Sequence, residues 1–227
     1  MARIGIIAAM KPELEILCES IENCEKLRIC GMTFYLGQIH HTEVALCQCG
    51  VGKVHAAMAS AIMLSELECR LLLNTGIAGG IGLNTGDVVI ASSLSYHDFD
   101  ATAFGYAYGQ VPGLPKEFTP GISAVVAVKA ALNKLGIPYV SCPVYSGDQF
   151  VSSLQQLKNI APGAMFACEM EGAAVAQAAV CAGADFIVLR YISDCIGQEN
   201  QIADYLSFER EMAERSAKIC LQIMYNL

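Results

Sequence analysis

The sequence predicts a single-domain α/β fold in which a mixed central β-sheet is flanked by helices. Apolar, β-branched segments alternate with helical patterns along the chain. Three short strands follow one another near the N-terminus, which indicates that the sheet is mixed rather than purely parallel. No Ser/Pro-rich linker or charge run divides the 227 residues, so we expect one domain over residues 1–227.

In the first part of the chain, the pattern predicts a strand, a helix, three strands and a second helix. The apolar run at 4–10 is too short for a signal peptide with its cleavage site and too short to span a bilayer, so we interpret it as the first buried strand. The predicted spans are 3–8, 12–22, 26–30, 33–39, 43–49 and 54–67.

The rest of the chain continues the alternation of strands and helices. We predict strands at 71–74, 88–93 and 139–147, and helices at 121–135, 152–160 and 203–225, the last of them amphipathic. The glycine-rich segment 75–82 follows the first of these strands, and we expect it to be a loop.

Three acids surround the apolar stretch from 168 to 194. Glu169 and Glu171 are predicted to open a helix rich in small residues, which ends at Gly183. Residues 186–192 are apolar on both faces, as in a buried strand, and Asp194 follows at the strand edge where ligands bind in α/β sheets. Because residues two apart on a helix face different directions, at most one of the two glutamates should share a site with Asp194.

These acids also have a purely structural interpretation. An acid after a strand is often a helix cap or a turn residue, and a glutamate at the start of a helix suits the helix dipole. The stretch alone does not decide between the two interpretations.

The composition indicates which partners to expect. Hydrophobic residues make up 54% of the chain and charged residues only 16%, so much of it must lie in a core or a subunit interface. The net charge of −8 disfavours nucleic acids and anionic membranes. Small molecules and other protein chains remain as partners.

The eleven cysteines form no CxxC pair and are most simply reduced core thiols of a cytoplasmic protein, as at Cys168, Cys181 and Cys220. A zinc site at Cys47 and Cys49, with His40 or His41, is a weak alternative because both cysteines lie on a predicted strand. We expect neither a metal nor a cofactor.

Two glycine-rich segments resemble phosphate-binding loops only superficially. The segment 50–53 lacks the first glycine of a P-loop and has Val54 where that motif has Ser or Thr. The segment 76–82 leads into a strand, whereas a dinucleotide fingerprint opens a helix. Both segments are either simple tight turns or places where the backbone comes close to a ligand.

The segment 96–120 combines aromatic residues with several glycines and prolines. It is too long and too aromatic for a passive connection, so we expect a binding-site wall or a subunit contact. A lone histidine such as His97 is more often structural than catalytic.

Seven short motifs occur in order along nearly the whole chain. They are IGIIAAM (4–10) with Glu13, GVGK (50–53), NTGIAGG (74–80), TAFGY (102–106), SGD (146–148), EME (169–171) and RYISD (190–194). Together they resemble the 5′-methylthioadenosine/S-adenosylhomocysteine nucleosidase family, a branch of the nucleoside phosphorylase superfamily. The resemblance implies a nucleoside phosphorylase-like fold.

The resemblance also implies an activity in methionine salvage: hydrolysis of an adenine N-glycosidic bond, giving adenine and a 5-thio-substituted ribose. Such a bond breaks through an oxocarbenium-like sugar, so the leaving base needs a proton and the attacking water needs a base. An adenine nucleoside and water are therefore the expected reactants.

Residue roles follow from the same resemblance. It implies that Asp194 protonates the purine N7, Glu13 activates water and Glu171 holds the ribose hydroxyls, with Arg190 completing the catalytic group. The implied homodimer contributes Phe104 and Pro112 across its interface to the 5′ pocket. The other implied substrate-binding residues are Val51, Ala78, Gly79, Phe150, Val151, Met170, Ser193 and Tyr205.

One departure from the family pattern is Ile77, where the family usually has serine. An isoleucine cannot bind phosphate as the serine of phosphorolytic relatives does, which favours hydrolysis over phosphorolysis. Two alternatives remain open: a purine nucleoside phosphorylase, and a non-catalytic nucleoside-binding protein of the same fold. Within the hydrolases, 5′-deoxyadenosine and 6-amino-6-deoxyfutalosine are further candidate substrates.

Overall fold

A single sheet of nine strands organises the part of the chain that the structure describes. This computed structural model describes residues 3–9, 11–160 and 163–226, except the side chains of residues 12–13 and 209–214. The strands are β1 (Arg3–Ala8), β2 (Glu22–Ile29), β3 (Met32–Ile39), β4 (Thr42–Gln48), β5 (Cys69–Ile81), β6 (Val88–Tyr96), β7 (Tyr139–Ser146), β8 (Phe166–Glu169) and β9 (Asp185–Cys195).

Five α-helices connect and cover these strands within the same described residues. They are α1 (Lys11–Glu19), α2 (Lys53–Ser65), α3 (Ile122–Lys134), α4 (Gly172–Ala182) and α5 (Gln201–Asn226). Gly183 ends α4 in the left-handed conformation, with φ of 67°, which confirms the predicted stop. Among the described residues, no helix is both long and apolar enough to cross a membrane.

The sheet is mixed, as predicted, and part of it closes into a ring. The strands β2, β3 and β4 form an antiparallel meander, and β4 continues through β1 to β5 by parallel pairing. Beyond that point β5 pairs with both β8 and β9, and the pairings β8–β7, β7–β6 and β6–β9 complete a circuit of five strands. The ring brings the carboxyl ends of β8 and β9 to the glycine-rich part of β5.

The helices cover both faces of the sheet. One core cluster combines sheet residues with α2 and α4, through small side chains such as Ala56, Ala59 and Ala176. The other cluster packs α1, α3 and α5 on the opposite face, through residues such as Leu17, Val128 and Ile223. The fold class is therefore the α/β arrangement of a mixed central sheet with flanking helices that the sequence predicts.

Four sequence-based predictions are wrong in detail. The glycine-rich segment 75–82 is not a loop, because β5 continues through it to Ile81 with partner strands on both sides. Residues 166–169 form a strand that the pattern did not reveal, so α4 begins at Gly172 rather than at Glu169. The helix predicted at 152–160 is only a 3-10 turn, Leu154–Leu157. Asp194 lies inside β9 rather than beyond its end.

All eleven cysteines are free thiols. Cys168 and Cys220 are buried as predicted, but Cys181 is exposed on α4 and is not a core thiol. Burial raises the pKa of the Cys47 thiol to about 12, so this side chain is a protonated apolar group at neutral pH.

Candidate active site

The carboxyl ends of β8 and β9 meet at Gly79, within the glycine-rich part of β5. The Gly79 backbone pairs with Cys168 on β8 and with Asp194 on β9. A Cβ atom at this position would lie 3.0 Å from the Asp194 Oδ2 atom and 3.0 Å from a side-chain carbon of Ile196. The glycine therefore allows the backbone of β5 to pass close to the Asp194 carboxyl group.

A cleft opens at this meeting point, with about 650 Å³ of empty space including its mouth. Eight predicted substrate-binding residues and two predicted catalytic acids line it: Val51, Ala78, Gly79, Phe150, Val151, Met170, Ser193, Tyr205, Glu171 and Asp194. The cleft is also lined by Ile77 and by residues outside the predicted set, among them Ala9, Gln149, Cys168, Glu169 and Ile196.

The remaining predicted site residues lie elsewhere. Arg190 is 1% exposed and does not line the cleft. Phe104 and Pro112 are exposed outside it, on the segment between β6 and α3. Glu13 falls in the first turn of α1, but its side chain lies outside the described residues.

Glu169 and Glu171 both line the cleft with Asp194, which corrects the prediction that at most one of them would. That prediction assumed a helix, whereas Glu169 ends strand β8 and Glu171 is the residue immediately before α4. Side chains two residues apart in an extended segment point to the same side, whereas on a helix they face different directions. Both glutamates can therefore face the cleft.

Glu169 is held as a carboxylate by donors on every side. Its Oε2 atom accepts the backbone N–H groups of Glu171 (2.9 Å) and Gly172 (2.7 Å) at the start of α4. Ser146 donates its hydroxyl to the other oxygen, and Arg190 forms a buried ion pair with Oε2. Burial alone would raise the pKa of Glu169, but the Arg190 guanidinium and the surrounding donors hold that pKa below its ordinary value.

Arg190 is fixed beneath the cleft by this ion pair and by Asn74. Its guanidinium donates to the Asn74 side-chain and backbone oxygens, while the Asn74 amide donates to the Ile7 backbone oxygen on β1. This chain of contacts joins β1, β5, β8 and β9. We interpret Arg190 as a positioning residue for Glu169, since its guanidinium contacts that side chain and not the cleft.

Glu171 experiences the opposite electrostatic environment. Burial and the neighbouring negative charge of Glu169 raise its pKa to about 7, and the charge of Arg190 only partly compensates. The Gly52 backbone donates an N–H to its Oε1 atom at 2.8 Å. The cleft therefore holds two adjacent carboxyl groups whose pKa values are shifted in opposite directions, an arrangement typical of sites that use acids in separate roles.

Asp194 is 1% exposed and accepts hydrogen bonds on both oxygens. Ser193 donates its hydroxyl to Oδ1, and the Gln201 side chain donates to Oδ2 at 2.8 Å. Gln201 is the main site residue that sequence reasoning missed. No motif marks it, because its role depends on where α5 begins relative to the end of β9.

The segment 50–53 closes one side of the cleft and is fastened by an ion cluster. The Lys53 ammonium lies 2.6 Å from the nearer carboxylate oxygen of Asp98 and 3.7 Å from that of Asp148. Asp148 also accepts the Lys53 backbone N–H, and Asp98 accepts the Asp148 backbone N–H, both at 2.8 Å. Lys53 thus does not belong to a P-loop. It anchors the backbone next to Gly52, whose N–H group contacts Glu171.

His97 lies outside the cleft and is 2% exposed. Burial lowers its pKa, so the ring is neutral, in keeping with the predicted structural role. The weak zinc alternative has no support among the described residues, where no cluster of three or more His, Cys, Asp or Glu side chains is arranged to hold a metal.

Comparison with known proteins shows that nearly the whole chain resembles one protein family. A model described as the phosphorylase superfamily matches residues 3–224. A 5′-methylthioadenosine/S-adenosylhomocysteine nucleosidase of Desulfotalea psychrophila is 38% identical over 229 residues, covering 99% of this chain and 98% of that one. The chain belongs to this nucleosidase family.

Solved structures extend the likeness to three dimensions. The family member from Neisseria meningitidis, in complex with methylthio-immucillin-A, is 35% identical with a TM-score of 0.94, and the match covers 100% of both chains. The futalosine hydrolase of Helicobacter pylori is 28% identical with a TM-score of 0.92, covering 100% of this chain and 98% of that one. The nucleosidase family and this hydrolase therefore share the fold of the chain.

Proposed function

We propose that this protein hydrolyses the N-glycosidic bond of 5′-methylthioadenosine and S-adenosylhomocysteine, releasing adenine and a 5-thio-substituted ribose. The single observation that carries the proposal is the cleft, which gathers Asp194, Glu171 and an apolar wall at one edge of the sheet. The relatives that the chain matches have this activity in their names.

The cleft geometry suggests how the reaction proceeds. Phe150 and the backbone of Val151 receive the adenine, and Asp194 donates a proton to N7 as the bond to the sugar breaks. Glu171 and Met170 hold the ribose. Glu13, at the start of α1, orients the attacking water and accepts its proton as the new bond to the sugar forms. A well-placed acid or base of this kind contributes on the order of 10²- to 10⁴-fold to the rate.

The charges in the cleft favour water over phosphate as the nucleophile. The ionisable side chains that line it are the acids Glu169, Glu171 and Asp194, and Ile77 adds an apolar surface. The ionised Glu169 carboxylate repels a phosphate dianion, and an isoleucine offers it no hydrogen bond. Hydrolysis is therefore the reaction that this cleft supports best.

The 5′ pocket of the proposed enzyme is completed by a second subunit. Val51 and Tyr205 line the cleft, whereas Phe104 and Pro112 are exposed away from it. In the proposed homodimer, these two residues enter the partner's cleft. We place the enzyme in the cytoplasm, because its eleven cysteines are predicted to be reduced thiols.

A second candidate substrate class rests on the likeness to the futalosine hydrolase. The same cleft would then accept 6-amino-6-deoxyfutalosine or 5′-deoxyadenosine in place of the thio-substituted nucleosides. A panel of these nucleosides, compared by kcat/KM, ranks the candidates.

The decisive experiment is product analysis with purified protein and 5′-methylthioadenosine, first without phosphate and then with it. We expect adenine and free methylthioribose in both conditions. Asp194→Asn should reduce turnover by at least about 100-fold while still binding the nucleoside, and Glu199→Gln, an exposed acid on the same segment, should act as wild type.

Other products would overturn the proposal. A sugar phosphate that forms only when phosphate is present would show a phosphorylase. Nucleoside binding without any product would show a binding protein, and full activity of Asp194→Asn would remove the assignment of the acid.

A further inference from the structure

Helix α4 is capped by side chains other than that of its own N-cap residue. Glu171 occupies the N-cap position, where a side-chain oxygen often accepts a free N–H group of the first turn. The Glu171 side chain forms no such hydrogen bond. The free N–H groups at the start of this buried helix therefore depend on other acceptors.

All four N–H groups that a helix leaves free at its start have a partner here. The Glu169 Oε2 atom accepts the N–H groups of Glu171 at 2.9 Å and of Gly172 at 2.7 Å. The Ser146 Oγ atom accepts the N–H group of Ala173 at 2.7 Å. The N–H group of the next residue is donated to the Glu171 backbone oxygen, also at 2.9 Å. The cap is thus complete without the Glu171 carboxyl group.

The two capping side chains belong to the strands and not to the helix. Ser146 is the last residue of β7 and Glu169 the last residue of β8, and both side chains are buried. The Ser146 hydroxyl donates to Glu169 while it accepts the N–H group from α4, so it joins the two strands to the helix. The charge of Glu169 also suits the positive end of the helix dipole.

The Glu171 carboxyl group is turned towards the cleft, which it lines. Its Oε1 atom accepts the Gly52 N–H at 2.8 Å from the segment 50–53. A carboxyl group that also capped α4 would be drawn back to the helix and away from the ribose. The position of this side chain in the cleft thus depends on a cap that is supplied from elsewhere.

We infer that Ser146 is a positioning residue, which caps α4 together with Glu169 and so leaves the Glu171 carboxyl group to bind the ribose hydroxyls. Ser146 is fully buried and does not line the cleft, so its effect on a nucleoside passes through Glu171. Without the Ser146 hydroxyl, the Ala173 N–H loses its acceptor, and the carboxyl group at the N-cap can turn back to replace it. This inference rests on the proposed function.

A purely structural role for Ser146 makes a different prediction. Loss of a buried hydrogen bond lowers the melting temperature in either case. If Ser146 only stabilised the fold, its loss would affect free adenine and the nucleoside alike, whether or not Glu171 is present. A loss that is confined to the ribose-bearing ligand and requires Glu171 separates the two roles.

The test combines steady-state kinetics with 5′-methylthioadenosine and calorimetric titration with adenine, using the full chain. We expect Ser146→Ala to reduce kcat/KM by roughly five- to thirty-fold, because a hydrogen bond from the ribose to a charged group is weakened. The Kd for adenine, which has no ribose, should stay within about twofold. The control Ser65→Ala removes an exposed hydroxyl that bonds only within α2 and should match wild type in both measurements.

A double-mutant cycle shows whether the effect passes through Glu171. In a Glu171→Ala background, Ser146→Ala should change kcat/KM by no more than about twofold, because there is no carboxyl group left to misplace. Ser146→Cys, whose thiol is only a weak donor and acceptor, should give a kcat/KM between those of wild type and Ser146→Ala. It replaces Ser146→Ala throughout if thermal melting shows that the alanine variant is unfolded.

Three results overturn the inference: an unchanged kcat/KM in a folded Ser146 variant, an equal loss of adenine binding, or the same loss in the Glu171→Ala background. The wild-type kinetics report on the proposed function in the same experiment. Adenine release by wild type together with any of these three results defeats the inference alone. Absence of adenine release by wild type defeats the proposed function and the inference with it.

Discussion

Glu169 and Glu171 show how two neighbouring glutamates come to differ in charge. Glu169 accepts hydrogen bonds from the Arg190 guanidinium, from a serine hydroxyl and from two backbone N–H groups at the start of α4. Glu171 receives one backbone N–H and faces the charge of Glu169. The ionised partner can therefore position the start of α4, while Glu171 can switch between protonation states near neutral pH.

The raised pKa of Glu171 makes stability depend on pH in a defined direction. Its pKa is raised from 4.5 to about 7 in the folded protein. Between these values the folded state keeps a proton that the unfolded state has lost, so stability falls as pH rises. The effect is absent below pH ~4.5, and above pH ~7 it amounts to roughly 3 kcal/mol at most.

Glu171→Gln should remove this penalty. We expect the melting temperatures of the variant and wild type to coincide at pH 4, and the variant to melt higher at pH 8. Adenine release should fall at both pH values, since the substitution replaces one of the two carboxyl oxygens offered to the ribose hydroxyls with an –NH2 donor. Glu199→Gln serves as the exposed control, and a melting difference that is independent of pH would contradict the assignment.

At the scale of elements, the segment 50–53 depends on its ion cluster for its position. Lys53 is largely buried between Asp98 and Asp148, and the adjoining Gly52 N–H contacts Glu171. Lys53→Met would leave the largely buried Asp98 carboxylate without its cation, so we expect a loss of about 2 kcal/mol in stability. The KM for the nucleoside should rise, because the backbone donor to Glu171 is no longer fixed.

A double-mutant cycle tests this interpretation. Adding Asp98→Asn to Lys53→Met removes one unpaired charge and should recover part of the lost stability. Glu15→Gln breaks the exposed Lys11–Glu15 pair and should change stability by less than about 0.5 kcal/mol. Strictly additive effects of the two substitutions in the cluster would show that Lys53 and Asp98 do not depend on each other.

The elements that the sequence predicted well are those with a strong local pattern. Strands such as β1 and β7 and helices such as α3 have apolar residues at the spacing that their burial requires. The glycine-rich end of β5 and the four-residue strand β8 have no such pattern. They are strands because neighbouring backbones complete their hydrogen bonds, and this depends on tertiary contacts.

The site, like the fold, could be predicted only where the sequence has a local signal. Asp194 and Glu171 stand out as acids beside apolar segments, and the motif resemblance added residues such as Phe150 and Val151. Gln201 could not be found in this way. Its amide reaches Asp194 only because the seven-residue separation in sequence is folded back by the turn at Gly197.

At the scale of the whole molecule, the exposed aromatic ring of Phe104 indicates an incomplete surface. The side chain is 83% exposed and lies on the segment that the sequence predicts to be a wall or a subunit contact. Burying a phenylalanine contributes about 1.5–3 kcal/mol, which is enough to matter for both assembly and substrate binding. We therefore expect Phe104 to support both the proposed homodimer and the proposed 5′ pocket.

Phe104→Asp should weaken the dimer and raise the KM for 5′-methylthioadenosine by roughly tenfold. Light scattering after size-exclusion chromatography gives the mass, and steady-state kinetics gives the KM. Ile122→Asp, at the first residue of α3 and 84% exposed, is the matched control and should change neither quantity. A monomeric wild type, or a dimeric Phe104→Asp variant with unchanged KM, would refute the shared pocket.

The closed circuit of five strands also has a consequence for how the protein is made. Strand β9 is the last strand in the sequence, and it closes the circuit by pairing with β5 and β6. During translation, the ring stays open until β9 has left the ribosome. A truncated product that ends before residue 185 would expose unpaired edges on β5 and β6, which favour aggregation. Premature termination should therefore yield insoluble protein rather than a weakly active enzyme.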